Sequence, residues 1–343
     1  MFKKKLGFLL GIMLLLSVAG YVICLTAGSK QIKGEDEFLL VTSFYPMYIL
    51  AENLTEGVEG ITVANLTENQ TGCLHDYQLT SGDMKLLSEA DAFLINGAGM
   101  ELFLDKVMEQ RAELPVIEAS HGISLLEGVA HSHNHKEETA VDEHEHEEEP
   151  VTEDHDHEEE EEHEEEHAHA HAENGHVWMD VTCYKKQLNT VAAELAVLLP
   201  EQEEAIMEAK SVYEHKLEHL AGECESLKTE IGNVPVVIFH EAFAYLAESL
   251  GMEVLMALSL DEETVPSAGE IAEVIEEINY HGTALIFIEE QYASHAEKIT
   301  AETGAMVVYL NPLTTGDGAV DSYISGMHAN LEAIRETLEW RLR

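Results

Sequence analysis

From Phe38 onward, short apolar runs alternate with longer segments in which apolar residues return every three or four positions. The run Phe38-Leu39-Leu40-Val41-Thr42-Ser43 stops at Phe-Tyr-Pro. It predicts a buried strand, because a brief, nearly continuous apolar stretch closed by a turn fits a strand covered on both faces. Strands are likewise predicted over 61–64, 92–96 and 115–118, and helices over 47–53, 80–90 and 102–111, the second capped by Thr80 or Ser81. Farther along, Leu188, Val191, Leu195 and Leu198 share one face of a helix over 181–199, which Pro200 ends. Residues 201–230 then form a charged, proline-free helix of about 45 Å. From Val234 the alternation restarts, with strands predicted over 235–239, 253–258, 284–288 and 306–310, and helices over 241–250, 268–280, 293–303 and 322–342.

Strand and helix in strict alternation specify an α/β fold with mostly parallel sheets. The expected architecture is two lobes, each a mostly parallel four-stranded sheet flanked by helices, joined by one long linker helix. The lobes fall over 36–199 and 234–343, and the linker over 201–231. A chain of 343 residues has room for two domains, each with its own core.

One segment breaks the pattern. Residues 131–173 contain HSHNH, EHEHEEE and DHDHEEEEEHEEEHAHAHA. Between His131 and His171 stand eleven histidines and nineteen carboxylates against a single lysine. Such a stretch repels itself and has almost nothing apolar to bury, so it reads as a solvated loop within the first lobe. The ordinary reading of an acidic run is a linker. Interleaved imidazoles add another, metal capture by His131, His133, His135, His144, His146, His155, His157, His163, His167, His169 and His171, because imidazole and carboxylate together suit borderline divalent ions such as zinc.

Charge narrows the partners. A net charge of −49 excludes a nucleic-acid surface as the default. Residues 1–30 open with three lysines and an apolar run from Leu6 to about Leu25, which is a signal peptide or an N-terminal anchor. Export follows either way, to the periplasm or the cell surface, with the N-terminus tethering the chain to the cytoplasmic membrane. Cys24 is the candidate for lipidation, although Ile23 stands where such processing wants a small residue. Cys73, Cys183 and Cys224 form neither a disulfide framework nor a CxxC knuckle. A Cys73–Cys183 disulfide and buried free thiols both fit an exported protein.

Four residues lie where open α/β sheets place ligands, at strand ends, or at the return from the tract. His75 follows the second strand in Gly-Cys-Leu-His-Asp-Tyr, His176 sits in Asn-Gly-His-Val-Trp, His240 leaves the strand Pro-Val-Val-Ile-Phe, and Asp321 follows the last strand. Alone, each has a bland role as a structural group or helix cap. Together, three histidines and a carboxylate are the donor set of a tetrahedral zinc site. His215 and His219, four apart on the long helix, read as an exposed face.

The segments VTSFYPMY, HDYQLTSGDMKLLSEADAFLINGAGME, NGHVWMDV, VIFHEAFAYLAESLGM, IFIEEQYA and VDSYISGMHANLEAI resemble the metal-binding cluster of ABC-importer solute-binding proteins, the ZnuA/AdcA/TroA type. They span nearly everything from Phe38 to the C-terminus. The resemblance implies two lobes with a metal between them, a rigid linker helix and an ABC permease as partner. By motif, His75, His176 and His240 match the family's three histidines. The third is usually Glu in manganese importers, so His240 favours Zn²⁺ as the transported ligand. Asp321 matches an acidic ligand of some members, and Glu289 a residue that supports a ligand from behind. The chain departs from the family where Asn-Gly replaces Asp-Pro before His176 and Gly-Cys-Leu-His replaces Gly-Ala-Asp-Pro-His.

The expected function is therefore a monomeric extracytoplasmic zinc receptor that delivers its metal to a permease, and not an enzyme. The alternatives are Mn²⁺ or Fe²⁺ as cargo, an extracellular zinc buffer built on the tract, and a zinc hydrolase. The last lacks its motif, since His240-Glu241 does not continue into HExxH.

Overall fold

A computed structural model describes residues 37–67, 74, 77–128, 173–258, 266–282 and 285–341. The leader, His75, Cys73 and the eleven tract histidines lie outside the described residues.

The first sheet comprises β1 (Phe38–Thr42), β2 (Ile61–Asn65), β3 (Ala92–Ile95) and β4 (Val116–Glu118), all parallel in the order β2-β1-β3-β4. Helices α1 (Tyr45–Thr55), α2 (Ser81–Glu89) and α3 (Leu104–Gln110) link them. The strands are apolar in unbroken runs because helices cover both faces, and Leu39, Leu40 and Val41 are fully buried. Pro46 starts α1 from a position where a missing N–H costs nothing. Thr80 caps α2 in a reciprocal box with Asp83.

The second sheet repeats the design. Strands β7 (Pro235–Ile238), β8 (Glu253–Ala257), β9 (Leu285–Ile288) and β10 (Met306–Tyr309) run parallel in the order β10-β9-β7-β8, with α6 (Ala242–Ser249), α7 (Ala268–His281) and α8 (Ala293–Thr303) between them. Between the sheets lie α4 (Val181–Leu198) and the linker α5 (Glu203–Ile231), and α9 (Ser322–Arg341) closes the chain. The linker buries Ile206, Tyr213, Leu217, Leu220, Cys224, Leu227 and Ile231, a stripe at alternating three- and four-residue spacing that seats it on α4, α1 and α9. Glu203 and Glu204 in its first turn and Lys228 in its last complement the helix dipole, and Gly232, at φ +65°, ends it. Among the described residues, no helix is long and apolar enough to cross a membrane.

Two features differ from the sequence expectation. A two-stranded antiparallel ribbon, β5 (Leu126–Glu127) with β6 (Glu173–Asn174), joins the two ends of the chain that flank the tract. Strands of two residues carry no periodicity by which to read them. The lobes also do not have a core apiece. One apolar cluster runs from β1 through α4 and α5 to Ile334 of α9, and a second, smaller one is confined to the C-terminal lobe. The reason is aromatic: Tyr184 of α4 stacks on Tyr323 of α9, with ring centroids 3.8 Å apart, and donates its hydroxyl to Pro46 O at 2.9 Å. Burial pushes both phenols far above their ordinary pKa, so they stay neutral donors inside this shared core. Cys183 and Cys224 are buried free thiols, pushed up to about 11 and about 12 by burial.

Candidate metal centre

The first sheet changes direction between β1 and β3, and the second between β7 and β9. Each of these crevices lies at strand carboxyl ends, where open sheets leave room for ligands. His240 follows β7, and Glu289 follows β9. Ser43 follows β1, and Asn96 and Gly97 follow β3.

His176 enters from the loop after β6, just ahead of a short 3₁₀ turn over Val177–Met179. It is only 1% exposed. Its ring meets that of His240 edge to face, with centroids 5.1 Å apart and planes at 78°. The two imidazoles thus come together from opposite lobes. Behind His240, Oε1 of Glu289 lies 3.2 Å from Nδ1, and Gln291 Nε2 donates to the other carboxylate oxygen at 2.8 Å. The contact has ion-pair distance without hydrogen-bond alignment, and it places a carboxylate beside Nδ1 of His240.

The loop bearing His176 is held from both sides. Asn96 Nδ2 donates to Gly175 O at 3.0 Å, and Gln187 Nε2 donates to Asn96 Oδ1 at 2.8 Å. The loop approaches so closely that a Cβ on Gly175 would lie 2.7 Å from Ala98 O. Trp178 is fully buried, edge-on to Phe44 at 4.9 Å and against the His176 ring at 5.1 Å. Its Nε1 donates to Pro312 O at 2.8 Å, and its own carbonyl accepts from Tyr323 Oη at 2.7 Å. Asn174 reaches the second lobe, where Nδ2 donates to Glu241 O at 2.9 Å.

Below the loop sits a buried carboxylate that sequence reasoning did not single out. Glu101 accepts from Ser43 Oγ at 2.7 Å, Asn96 N at 2.8 Å and Gly97 N at 3.0 Å. Burial nonetheless raises it from 4.5 to about 7, with those hydrogen bonds pulling the other way. Because the folded state then binds this proton more tightly than the unfolded chain, the stabilisation is complete below about pH 4.5 and is lost as pH rises through about 7. We expect metal-free protein to lose, from this group, about 1.4 kcal/mol per pH unit between those limits. Urea unfolding of the protein and Glu101→Gln across that range checks it, and parallel curves would contradict it.

Of the three expected site residues that are described, His176 and His240 come together, and His75 lies outside the described residues. Asp321 does not join the histidines. It is held by Lys216 Nζ of the linker at 2.7 Å, and its side chain is 56% exposed. It borders a cavity of about 250 Å³ lined by Tyr45, Leu313 and Tyr323, among others, and by neither histidine. Asp321 stands just before α9, within reach of a lysine of the linker, and here that lysine took it. His215 and His219 have no place in the cleft; His219 and His328 instead flank Glu223, at 3.0 and 2.7 Å. Among the described residues, no three His, Cys, Asp or Glu side chains converge as a complete metal shell. Asn96 was also missed, and Asn174 and Trp178 were read only as neighbours of His176, with no role of their own. Asn174 had a faint signal, standing two residues before a histidine where its amide can turn back on the ring.

The high-affinity zinc uptake system protein ZnuA of Bacillus subtilis is 28% identical over 98% of this chain and 99% of its own length. The zinc-binding lipoprotein AdcA of Streptococcus pneumoniae is 26% identical over 92% of this chain, which spans only 58% of AdcA. The fold matches the Zn(II)-bound ZnuA-like domain of Streptococcus pneumoniae AdcA with a TM-score of 0.65, at 22% identity, over 88% of this chain and 98% of that one. A family model described as the zinc-uptake complex component A, periplasmic, matches residues 40–337. With that match covering most of its length, and with two histidines meeting between parallel-sheet lobes, the chain belongs to the ZnuA family.

Proposed function

We propose that this protein is an extracytoplasmic receptor that captures Zn²⁺ between its lobes and delivers it to an ABC permease. The observation that carries the reading is the pair His176 and His240, brought from different lobes to 5.1 Å. By motif His75 is assigned as the third donor, and Glu289 stands 3.2 Å behind His240. Imidazole-rich sites suit zinc over manganese. Asp321 is left out of the set, since Lys216 engages it. The work done is binding rather than catalysis, as in the family to which the chain belongs. Ligands must be deprotonated to bind, so capture weakens as pH falls through the histidine range. The eleven tract histidines act as a secondary collecting surface, and residues 1–30 tether the exported chain.

Competitive titration of Zn²⁺ and Mn²⁺ into protein lacking 1–30 and 131–171 tests this. One tight zinc site, with Mn²⁺ bound more weakly, is the expected result. Absence of a tight site would mean that the protein is a buffer whose capacity lies in the tract. Within a receptor, His240→Glu is expected to move preference toward Mn²⁺, because a hard carboxylate oxygen replaces imidazole.

A further inference from the structure

We propose that Asn174 is a positioning residue that sets the metal-binding tautomer of His176 and holds it in register with His240. The proposal rests on the reading of those two histidines as ligands.

Asn174 is 1% exposed and ends β6. Its Oδ1 accepts from His176 N at 3.0 Å and lies 2.8 Å from His176 Nδ1. Its Nδ2 donates to Glu241 O at 2.9 Å. These partners fix the amide orientation. A backbone N–H only donates and a backbone carbonyl only accepts, so a flipped amide would set NH₂ against N–H and oxygen against oxygen. With Oδ1 thus facing the ring, Nδ1 of His176 must be the protonated nitrogen. In the neutral imidazole the lone pair then lies on Nε2, the form a metal takes.

The same amide spans both ligand loops. Glu241 is the residue after His240, so one side chain ties the backbone beside one histidine to the ring of the other. Tyr245 Oη of α6 donates to Asn174 O at 2.8 Å and accepts from Leu126 N at 3.1 Å, which fixes Asn174 to the second lobe and to β5. The position needs an acceptor and a donor on one short planar group, and Asn provides both. Asp would keep the bond to Nδ1–H but set a carboxylate oxygen against Glu241 O. Leu has Asn's shape and neither bond.

The test uses the full-length protein. Zinc-free samples with ¹⁵N-labelled histidine are examined by NMR above the histidine range, the His176 ring being assigned by its loss in His176→Gln. Zinc affinity is measured against a tight chelator for the protein, Asn174→Leu and Asn174→Asp, with unfolding curves to verify that each folds. The proposal expects an Nδ1–H ring in the parent and in Asn174→Asp. Asn174→Leu should lose that signature and about 10- to 100-fold in zinc affinity. A side chain that only stabilised the fold would lower the unfolding midpoint and leave the tautomer alone. An Nε2–H ring in the parent, or a folded Asn174→Leu with parental tautomer and affinity, would overturn the proposal. If His176→Gln and His240→Gln bind zinc as the parent does while Asn174→Leu still switches the tautomer, the ligand reading fails and the proton placement stands.

Discussion

Alanine at His240 is expected to lower the zinc affinity of the tract-deleted protein by more than the roughly 10- to 100-fold that loss of an outer hydrogen-bond partner costs a metal site. On the proposed reading the substitution removes a donor itself, where the opposing imidazole, His176, is 1% exposed and 5.1 Å away. The other lobe cannot move in to compensate, because Asn174, Trp178 and Tyr245 bond the two halves together around the cleft. His176→Ala should behave alike. Zinc stabilises whatever state binds it, by about 2.7 kcal/mol at 100 times its dissociation constant, so the thermal shift on adding zinc should disappear together with the affinity. His219→Ala is the control: its ring pairs with Glu223 on the linker, and the tight site should be unchanged. Equal affinity in parent and His240→Ala would remove the interlobe site from this protein.

The largest effect on stability is expected at Trp178. Truncation to alanine empties a fully buried indole volume that Phe44 and His176 line, and leaves Pro312 O without its donor. Large-to-small changes of this kind cost about 3–5 kcal/mol, and a buried acceptor left unpaired adds about 1–3 kcal/mol. Trp178→Phe keeps most of the volume and loses the indole N–H, so it should show mainly the second cost. Chemical denaturation of metal-free protein checks both, with the order parent, Phe, Ala. Zinc binding should also weaken in the alanine variant, since the ring that Trp178 supports is one of the two proposed ligands. An alanine variant as stable as the parent would mean that the interlobe core does not hold the lobes in place.

Much of this protein was legible in its residues. Nearly every long element follows from local chemistry: unbroken apolar runs such as Phe38 to Thr42 become strands covered on both faces, and a capping box places α2 within a residue. The seven-residue stripe of the linker dictates a helix long enough to join two halves. The histidines at 176 and 240 stood out because each meets a break in pattern, the end of the tract and the end of a strand. Asp321 was also a candidate, and nothing in its own segment says that Lys216, 105 residues earlier, lies 2.7 Å from it. Glu101 was invisible for the same reason, since its partners Ser43, Asn96 and Gly97 come from separate loops. What the sequence determined alone was therefore local, namely element type, alternation and the supply of imidazoles, all set by propensity and side-chain period. The tertiary structure alone decided convergence: which histidines meet, which carboxylate is claimed elsewhere, and that one core is shared across both lobes. Convergence depends on distances between residues far apart in the chain, and no local preference encodes those.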